Sequence, residues 1–222
     1  MSNIGKIIVI DGLDGSGKST QFELINGILS KRCSVKAISF PDYNNQSSAL
    51  VKMYLNGDFS SNANNVNAYA ASSFYAVDRY ASYKLYWEKN YLDGDIILAS
   101  RYVSSNAIHQ MEKLPTSEWD NFLAWLYDYE YIKLGLPVPD VTIFLDMPVE
   151  VSQKLLNKRY NGDEKRKDIH ESDIEYLKKC RLSALYAASK ENWHIIECSN
   201  GENPLPVNDI TKKILSIIEE VI

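Results

Sequence analysis

The sequence predicts an α/β domain built on a parallel sheet. Five short apolar runs, at residues 6–11, 35–40, 95–100, 141–145 and 194–198, alternate with segments of helical spacing. Strands that alternate with helices imply crossover connections, hence parallel pairing and helices on both faces of the sheet. The first run, Ile7-Ile8-Val9-Ile10, is continuous and β-branched, the pattern of a strand buried on both faces. Ligands of such sheets gather at the carboxyl ends of the strands, where the first three runs deliver Asp11, Phe40 and Ser100. The 222 residues suffice for one such domain, 1–222, with a lid or insertion in place of a second core.

Composition narrows the function. A formal charge of −5, from 24 Lys and Arg against 29 Asp and Glu, argues against a general nucleic-acid or anionic-membrane surface, so phosphate binding is expected to be local. Cys33, Cys180 and Cys198 are odd in number and far apart, which fits neither a disulfide framework nor a zinc site. His170 and His194 have no partner at metal-ligand spacing and are expected to be structural. The chain enters its first strand without a signal-peptide pattern, and no apolar run approaches ~18 residues. The expectation is a soluble, cytoplasmic protein in which the sequon Asn45-Gln46-Ser47 goes unused. Residues 44–48 and 60–67, rich in Asn and Ser, read as loops.

After the first strand, Gly12-Leu13-Asp14-Gly15-Ser16-Gly17-Lys18-Ser19 matches G-x-x-x-x-G-K-[ST] at every fixed position and leads through Thr20 into a helical pattern. The glycines let backbone N–H groups turn inward around phosphate oxygens, and the helix presents its positive N-terminus to the same anion. Lys18, expected to be solvated before ligand binds, would reach the β- and γ-phosphates, and the Ser19 hydroxyl would ligate Mg²⁺. A glycine turn serving packing alone is the competing reading. The motif in its strand-loop-helix setting favours a nucleoside-triphosphate site.

The later elements supply groups whose chemistry is less specific. Phe40-Pro41-Asp42-Tyr43 follows the second strand, where proline forces an extended exit that aims the aromatics across the strand ends, or else merely closes a turn over a core Phe. Residues 66–91 have helical spacing and many aromatics. There Tyr75 and Arg79, four apart, share one helix face and could stack on a planar base and donate to its carbonyl oxygen. Phe74 and Val77 are expected in the core, and an aromatic stripe of this kind is also the mark of plain packing or an oligomer face. Arg101 ends the third strand, placed to clamp an acceptor phosphate or to form a surface ion pair. Asn106, His109 and Gln110 follow on a short helix. A further aromatic-rich helix is expected from Ser117, as N-cap, to about Lys133, with Pro137 and Pro139 closing the loop after it. Residues 158–171, KRYNGDEKRKDIHE, read either as a solvated charged loop or as a basic lid over phosphates.

Taken in order, these pieces resemble the thymidylate kinase family. The resemblance rests on the phosphate loop with Asp14 inside it, Phe-Pro-x-Tyr after strand two, and a tyrosine four before Arg79. It extends through Arg101-Tyr102 followed by Ser105-Asn106, and Pro139-Asp140 leading into Ile143-Phe144-Leu145-Asp146, so that it covers residues 6 to about 181. It implies a P-loop kinase fold with strand order 2-3-1-4-5 and transfer of the ATP γ-phosphate to dTMP, giving dTDP and ADP on the way to dTTP. ATP and Mg²⁺ are the implied cofactors, and a homodimer the implied assembly. By position, Asp14 would lie near the acceptor phosphate and help to place Mg²⁺, and Arg101 would hold that phosphate. Tyr75 would stack on thymine, Arg79 would bond the base O4, and Asn106 would make a polar contact to the base. Phe40, Pro41, Tyr43 and Gln110 would complete the acceptor site.

Three positions depart from the family pattern. His109 stands where Tyr or Phe usually lies beside the sugar, which leaves sugar selectivity open. Ser100 stands where Asp usually precedes Arg101. Gly15 stands where one branch of the family carries a basic residue, so the catalytic cation should come from the lid, among Arg159, Lys165 and Arg166. The rival readings are a kinase for another deoxynucleotide or a nucleoside, and a nucleotide-binding protein with weakened catalysis.

Overall fold

The computed structural model of the chain describes residues 4–60, 65–159 and 174–222. Strands β1 (Lys6–Gly12), β2 (Val35–Ser39), β3 (Ile96–Ser100), β4 (Val141–Asp146) and β5 (His194–Glu197) form one parallel sheet in the order β2-β3-β1-β4-β5. Each of the five apolar runs is therefore a strand, within one residue at either end, in the order the resemblance implies. The helices are α1 (Lys18–Leu29), α2 (Ala49–Leu55), α3 (Ala68–Ser82), α4 (Glu88–Leu92), α5 (Ser104–His109), α6 (Trp119–Tyr127), α7 (Val149–Arg159), α8 (Ile174–Lys190) and α9 (Val207–Glu219).

β1 takes the centre because its residues have no polar face to offer: Ile7, Ile8, Val9 and Ile10 are all fully buried. The period-two pleat sends Ile7 and Val9 to one side, among Trp87, Ile97, Tyr102 and Phe122. Ile8 and Ile10 go to the other, against Ile25 and Leu29 of α1 and Ile210, Ile214 and Ile218 of α9. Each such side chain contributes about 1.5–3 kcal/mol by leaving water. The register pairs Ile10 with Ser100 on one flank and Gly12 with Leu145 on the other, so the carboxyl ends of β1, β3 and β4 finish at one edge of the sheet.

Two helical readings need correction. The stretch 66–91 is not one continuous α-helix: Asn67 caps α3 by accepting from the Ala70 N–H at 2.8 Å, and a π-helical turn, Tyr83–Trp87, separates α3 from α4. The residues α3 buries are mainly small, Ala68, Ala71, Ser72 and Ala76, together with Asp78 and Arg79. Val77 lies off that stripe and is exposed, not in the core, while half-buried Phe74 packs on Tyr54 and Phe59 outside the central sheet. Ser117 is not an N-cap. It sits inside a 3₁₀ turn, Thr116–Glu118, that begins after Pro115, and α6 starts at Trp119. Beyond α6 the chain widens into a π-helical segment, Asp128–Lys133, which carries Glu130 into the interior.

Candidate active site

The phosphate loop joins β1 to α1 as the motif requires. Gly15 (φ +76°) and Gly17 (φ +86°) take left-handed backbone that side chains resist. At Gly15 an added Cβ would also lie 3.0 Å from Ser152, so the strain and the crowding both oppose a side chain there. Lys18 opens α1 and corrects the expectation of a solvated side chain: it is buried, and its Nζ donates to the Gly12 carbonyl at 3.1 Å. Burial, followed by the nearby Arg101 charge, lowers its pKa to about 8. An incoming phosphate would supply the negative charge that this ammonium lacks.

Arg101 leaves β3 with φ +67°, an uncommon conformation for a residue with a side chain and one that clusters at functional sites. Its backbone N–H bonds the Ile10 carbonyl at 3.1 Å, which anchors the turn to the central strand. Its Nη2 donates to Asp14 at 2.7 Å, and its Nη1 lies 2.8 Å from His109 Nε2 and 3.9 Å from Asp11. Arginine can only donate, so His109 Nε2 accepts and its proton is on Nδ1, 3.1 Å from the Tyr176 hydroxyl of α8. Burial, then the Arg101 charge, lowers the His109 pKa to about 3 and keeps the ring neutral. Asp11 stands behind this cluster, fully buried, and accepts from the Ser104 and Ser105 hydroxyls at 2.7 Å each.

A cavity of about 360 Å³ runs from the loop to α3. Asp14, Lys18, Ser19, Ser100 and Arg101 line its phosphate-loop end, and Tyr75, Arg79, Asn106, His109 and Gln110 line the rest, with Phe40, Pro41 and Tyr43 beside them. The 40–43 turn is held in place because the Asp42 N–H bonds Asp78 Oδ2 at 2.9 Å, next to Arg79 on α3. Tyr75 meets Tyr54 of α2 edge-on, with ring centroids 6.3 Å apart. Arg79 is almost wholly buried, its guanidinium paired with Glu130. Ser100 lines the cavity, and its side chain makes no hydrogen bond with a described residue.

A second cavity, of about 440 Å³, lies between the loop and α7, lined by Gly15, Gly17, Ser19, Thr20, Glu23, Leu155 and Leu156. Ser19, whose hydroxyl is expected to serve Mg²⁺, borders both cavities. Among the described residues no group of three or more His, Cys, Asp or Glu side chains could hold a metal ion. The exposed Ser19 hydroxyl with Asp14 in the same cavity is a sparse donor set, which suits Mg²⁺ that keeps its waters and most of its ligands on nucleotide phosphates. Arg166 and Lys165, with most of the lid segment 158–171, fall outside the described residues, and the structure describes only the backbone of Arg159, at the end of α7.

Sequence reasoning missed four residues here. In the sequence Asp11 reads only as a strand end, Tyr54 carries no signal, and Glu130 and Tyr176 sit within helical patterns. Nothing local marks them. Each is identified by a partner far along the chain, as Glu130 is by Arg79, 51 residues away.

Comparison with known proteins agrees with this geometry. The family model for thymidylate kinase matches residues 10–208. The chain is similar to the thymidylate kinase of Mycobacterium tuberculosis H37Rv, 30% identical over 185 residues, which cover 82% of this chain and 84% of the relative. It is also similar to the probable thymidylate kinase 1 of Saccharolobus solfataricus, 24% identical over 216 residues, or 97% of each. Among solved structures, that of the thymidylate kinase from Candida albicans shares the fold, with a TM-score of 0.71 and 24% identity over 99% of this chain and 93% of the other. By the family model's match across most of its length and by its likeness to the Mycobacterium tuberculosis protein, this chain belongs to the thymidylate kinase family.

Proposed function

We propose that the chain, acting as a single domain, transfers the γ-phosphate of ATP to dTMP, giving dTDP and ADP. The observation that carries this is the shared cavity, which joins Lys18 and Ser19 to Arg101 and, further in, to Tyr75, Arg79 and Asn106. ATP enters from the second cavity, its phosphates cradled by residues 12–20. dTMP occupies the first, with its phosphate at Arg101 and its base between Tyr75, Arg79 and Asn106. The acceptor phosphate dianion is nucleophilic without a general base, so the work of the site is alignment and charge neutralisation. Lys18 and Arg101 line the same cavity and would both supply positive charge to the transferring group. Asp14 and neutral His109 each take one Nη of Arg101, fixing the plane of its two-donor fork before substrate arrives. Ser19, with help from Asp14, would hold Mg²⁺, which when bound would supply positive charge to the nucleotide phosphates. One further cation comes from Arg159, Lys165 or Arg166.

The reading is tested by ADP release with dTMP, dUMP, dCMP, dGMP and UMP as acceptors. dTMP should give the highest kcat/KM, and equal turnover of all five, or none, would defeat it. We propose a cytoplasmic location, as is typical of the family; separately, no described helix is long and apolar enough to cross a membrane. We further propose a homodimer, because Val77, Tyr80, Leu85 and Tyr86 leave a run of apolar side chains exposed on α3 and the π-helical turn after it. Light scattering that gave the mass of one chain, 25.3 kDa, at micromolar concentration would count against pairing.

A further inference from the structure

Arg79 and Asn106 are tied together from behind by one carboxylate. Glu130 lies in the π-helical segment after α6, fully buried, and does not itself line the cavity. Its Oε2 accepts from Arg79 Nε at 2.6 Å, and its Oε1 accepts from both Arg79 Nη2 at 2.6 Å and Asn106 Nδ2 at 3.0 Å. The Asn106 amide nitrogen also donates to the Ser72 carbonyl at 3.1 Å. A carbonyl and a carboxylate oxygen can only accept, so the nitrogen of the amide must face them. That leaves Asn106 Oδ1, to which no described residue donates, as the atom the amide offers to the cavity. Arg79 spends three of its five N–H groups, two on Glu130 and one from Nη1 on the Tyr102 carbonyl at 3.2 Å, and keeps two.

The inner wall of the cavity thus presents an N–H donor beside a carbonyl acceptor. Its complement is a ring edge with C=O next to N–H, as in thymine and uracil. Cytosine offers the reverse order, an amino donor next to a ring-nitrogen acceptor. We propose that Glu130 is a positioning residue that sets this order and, through it, the choice of a keto pyrimidine over an amino pyrimidine. The inference rests on the base-binding reading of the cavity given above. Glu130 acts only through Arg79 and Asn106. A π-helical segment is a frequent companion of functional sites, and here it brings the carboxylate inward.

The test compares kcat/KM for dTMP and dCMP in the native enzyme, Glu130→Gln and Glu130→Asp, with melting temperature and the KM for ATP measured alongside. The Gln side chain has the same shape, but however its amide turns, one N–H faces a donor of Arg79 or Asn106 and releases one of the two groups that read the base. The dTMP-to-dCMP ratio should fall by roughly tenfold or more, carried mainly by a higher KM for dTMP, with the KM for ATP unchanged. A lower melting temperature or overall rate with the native ratio intact would overturn the proposal and leave Glu130 a purely structural residue. Should Glu130→Gln fail to fold, Glu130→Asp keeps the charge but is one methylene too short to hold both partners, and the same ratio decides. A native enzyme that does not prefer dTMP to dCMP would instead defeat the base-binding reading itself, and the proposal with it.

Discussion

The proposed acceptor half and the proposed donor half of the site are built by different means. On the acceptor side almost every polar group already has a partner from elsewhere in the fold: Asp14, Arg101, His109 and Tyr176 form one chain of bonds, and Arg79, Glu130 and Asn106 another. Except for Arg101–His109, eight positions apart, these bonds join residues 24 to 87 positions apart. On the donor side the groups come from one short stretch, residues 12–20, and Ser19 and Thr20 stand exposed. The difference teaches where recognition is prepaid. The acceptor cavity is organised before substrate binds, so its groups undergo little reorganisation when charge develops, whereas the loop's cation, Lys18, is held only by a carbonyl of its own loop and meets a negative partner only if nucleotide phosphates arrive.

The largest expected effects separate the halves directly. Arg101→Ala should lower kcat by about 10³-fold or more, since it removes a cation from the transferring group. It should also raise the KM for dTMP, because the same change leaves Asp14 and His109 without the group that binds them. Lys18→Ala should lower kcat comparably while raising the KM for ATP and sparing that for dTMP. Initial-rate kinetics with each substrate varied checks this. A rise in the KM for dTMP in both variants would mean that the two halves are one network and not two.

A smaller effect probes the donor side before chemistry. The pKa of Lys18 is lowered to about 8 mainly by burial, and bound phosphates would raise it again. Near pH 8 about half of the side chains are unprotonated in the free enzyme, so ATP binding should take up as much as ~0.5 proton per site. Calorimetry in buffers of different ionisation enthalpy reads this uptake, which should vanish in Lys18→Met. The linkage has a second consequence: the unfolded chain binds more protons than the folded one between pH 8 and 10.5, so this residue makes the free enzyme more stable as pH rises through that window. dTMP binding should take up no proton at Lys18 if the halves are separate.

The same division decides what could be read from the sequence. The strands were legible because a buried parallel strand is a continuous apolar run, and the loop because its eight residues are contiguous and chemically exacting. Arg101 and Asn106 were legible through the resemblance. Their partners were not, since a hydrogen bond between Arg79 and Glu130 leaves no periodicity in either helix, and a glutamate among aromatics reads as a solvated residue until the chain widens into a π-helical turn. The exposure of Val77 was missed for a related reason. Spacing alone marks an apolar residue as a core candidate, and only packing shows that α3 turns its small residues inward.

The smallest effect concerns Ser100, on the border between the halves. This position lines the cavity beside Arg101, and its hydroxyl is bonded to neither the arginine nor any other described residue. Asp14 is paired with Arg101, so it divides its negative charge between the clamp and any metal. Ser100→Asp adds a carboxylate that can strengthen the field on the water shell of Mg²⁺. At several Å and an effective dielectric constant near 20, the gain is on the order of a kcal/mol, which corresponds to roughly fivefold less Mg²⁺ for half-maximal rate. Asp14→Asn should do the opposite and also raise the KM for dTMP, because it loosens Arg101. The competing account is that the introduced carboxylate turns to Arg101, where Asp11 and Asp14 already lie within 3.9 Å, and the metal never feels it. Then Ser100→Asp would change the KM for dTMP and leave the magnesium requirement alone. A magnesium titration of the two variants at saturating dTMP distinguishes these cases, and an unchanged requirement in both would remove Asp14 and position 100 from the metal site altogether.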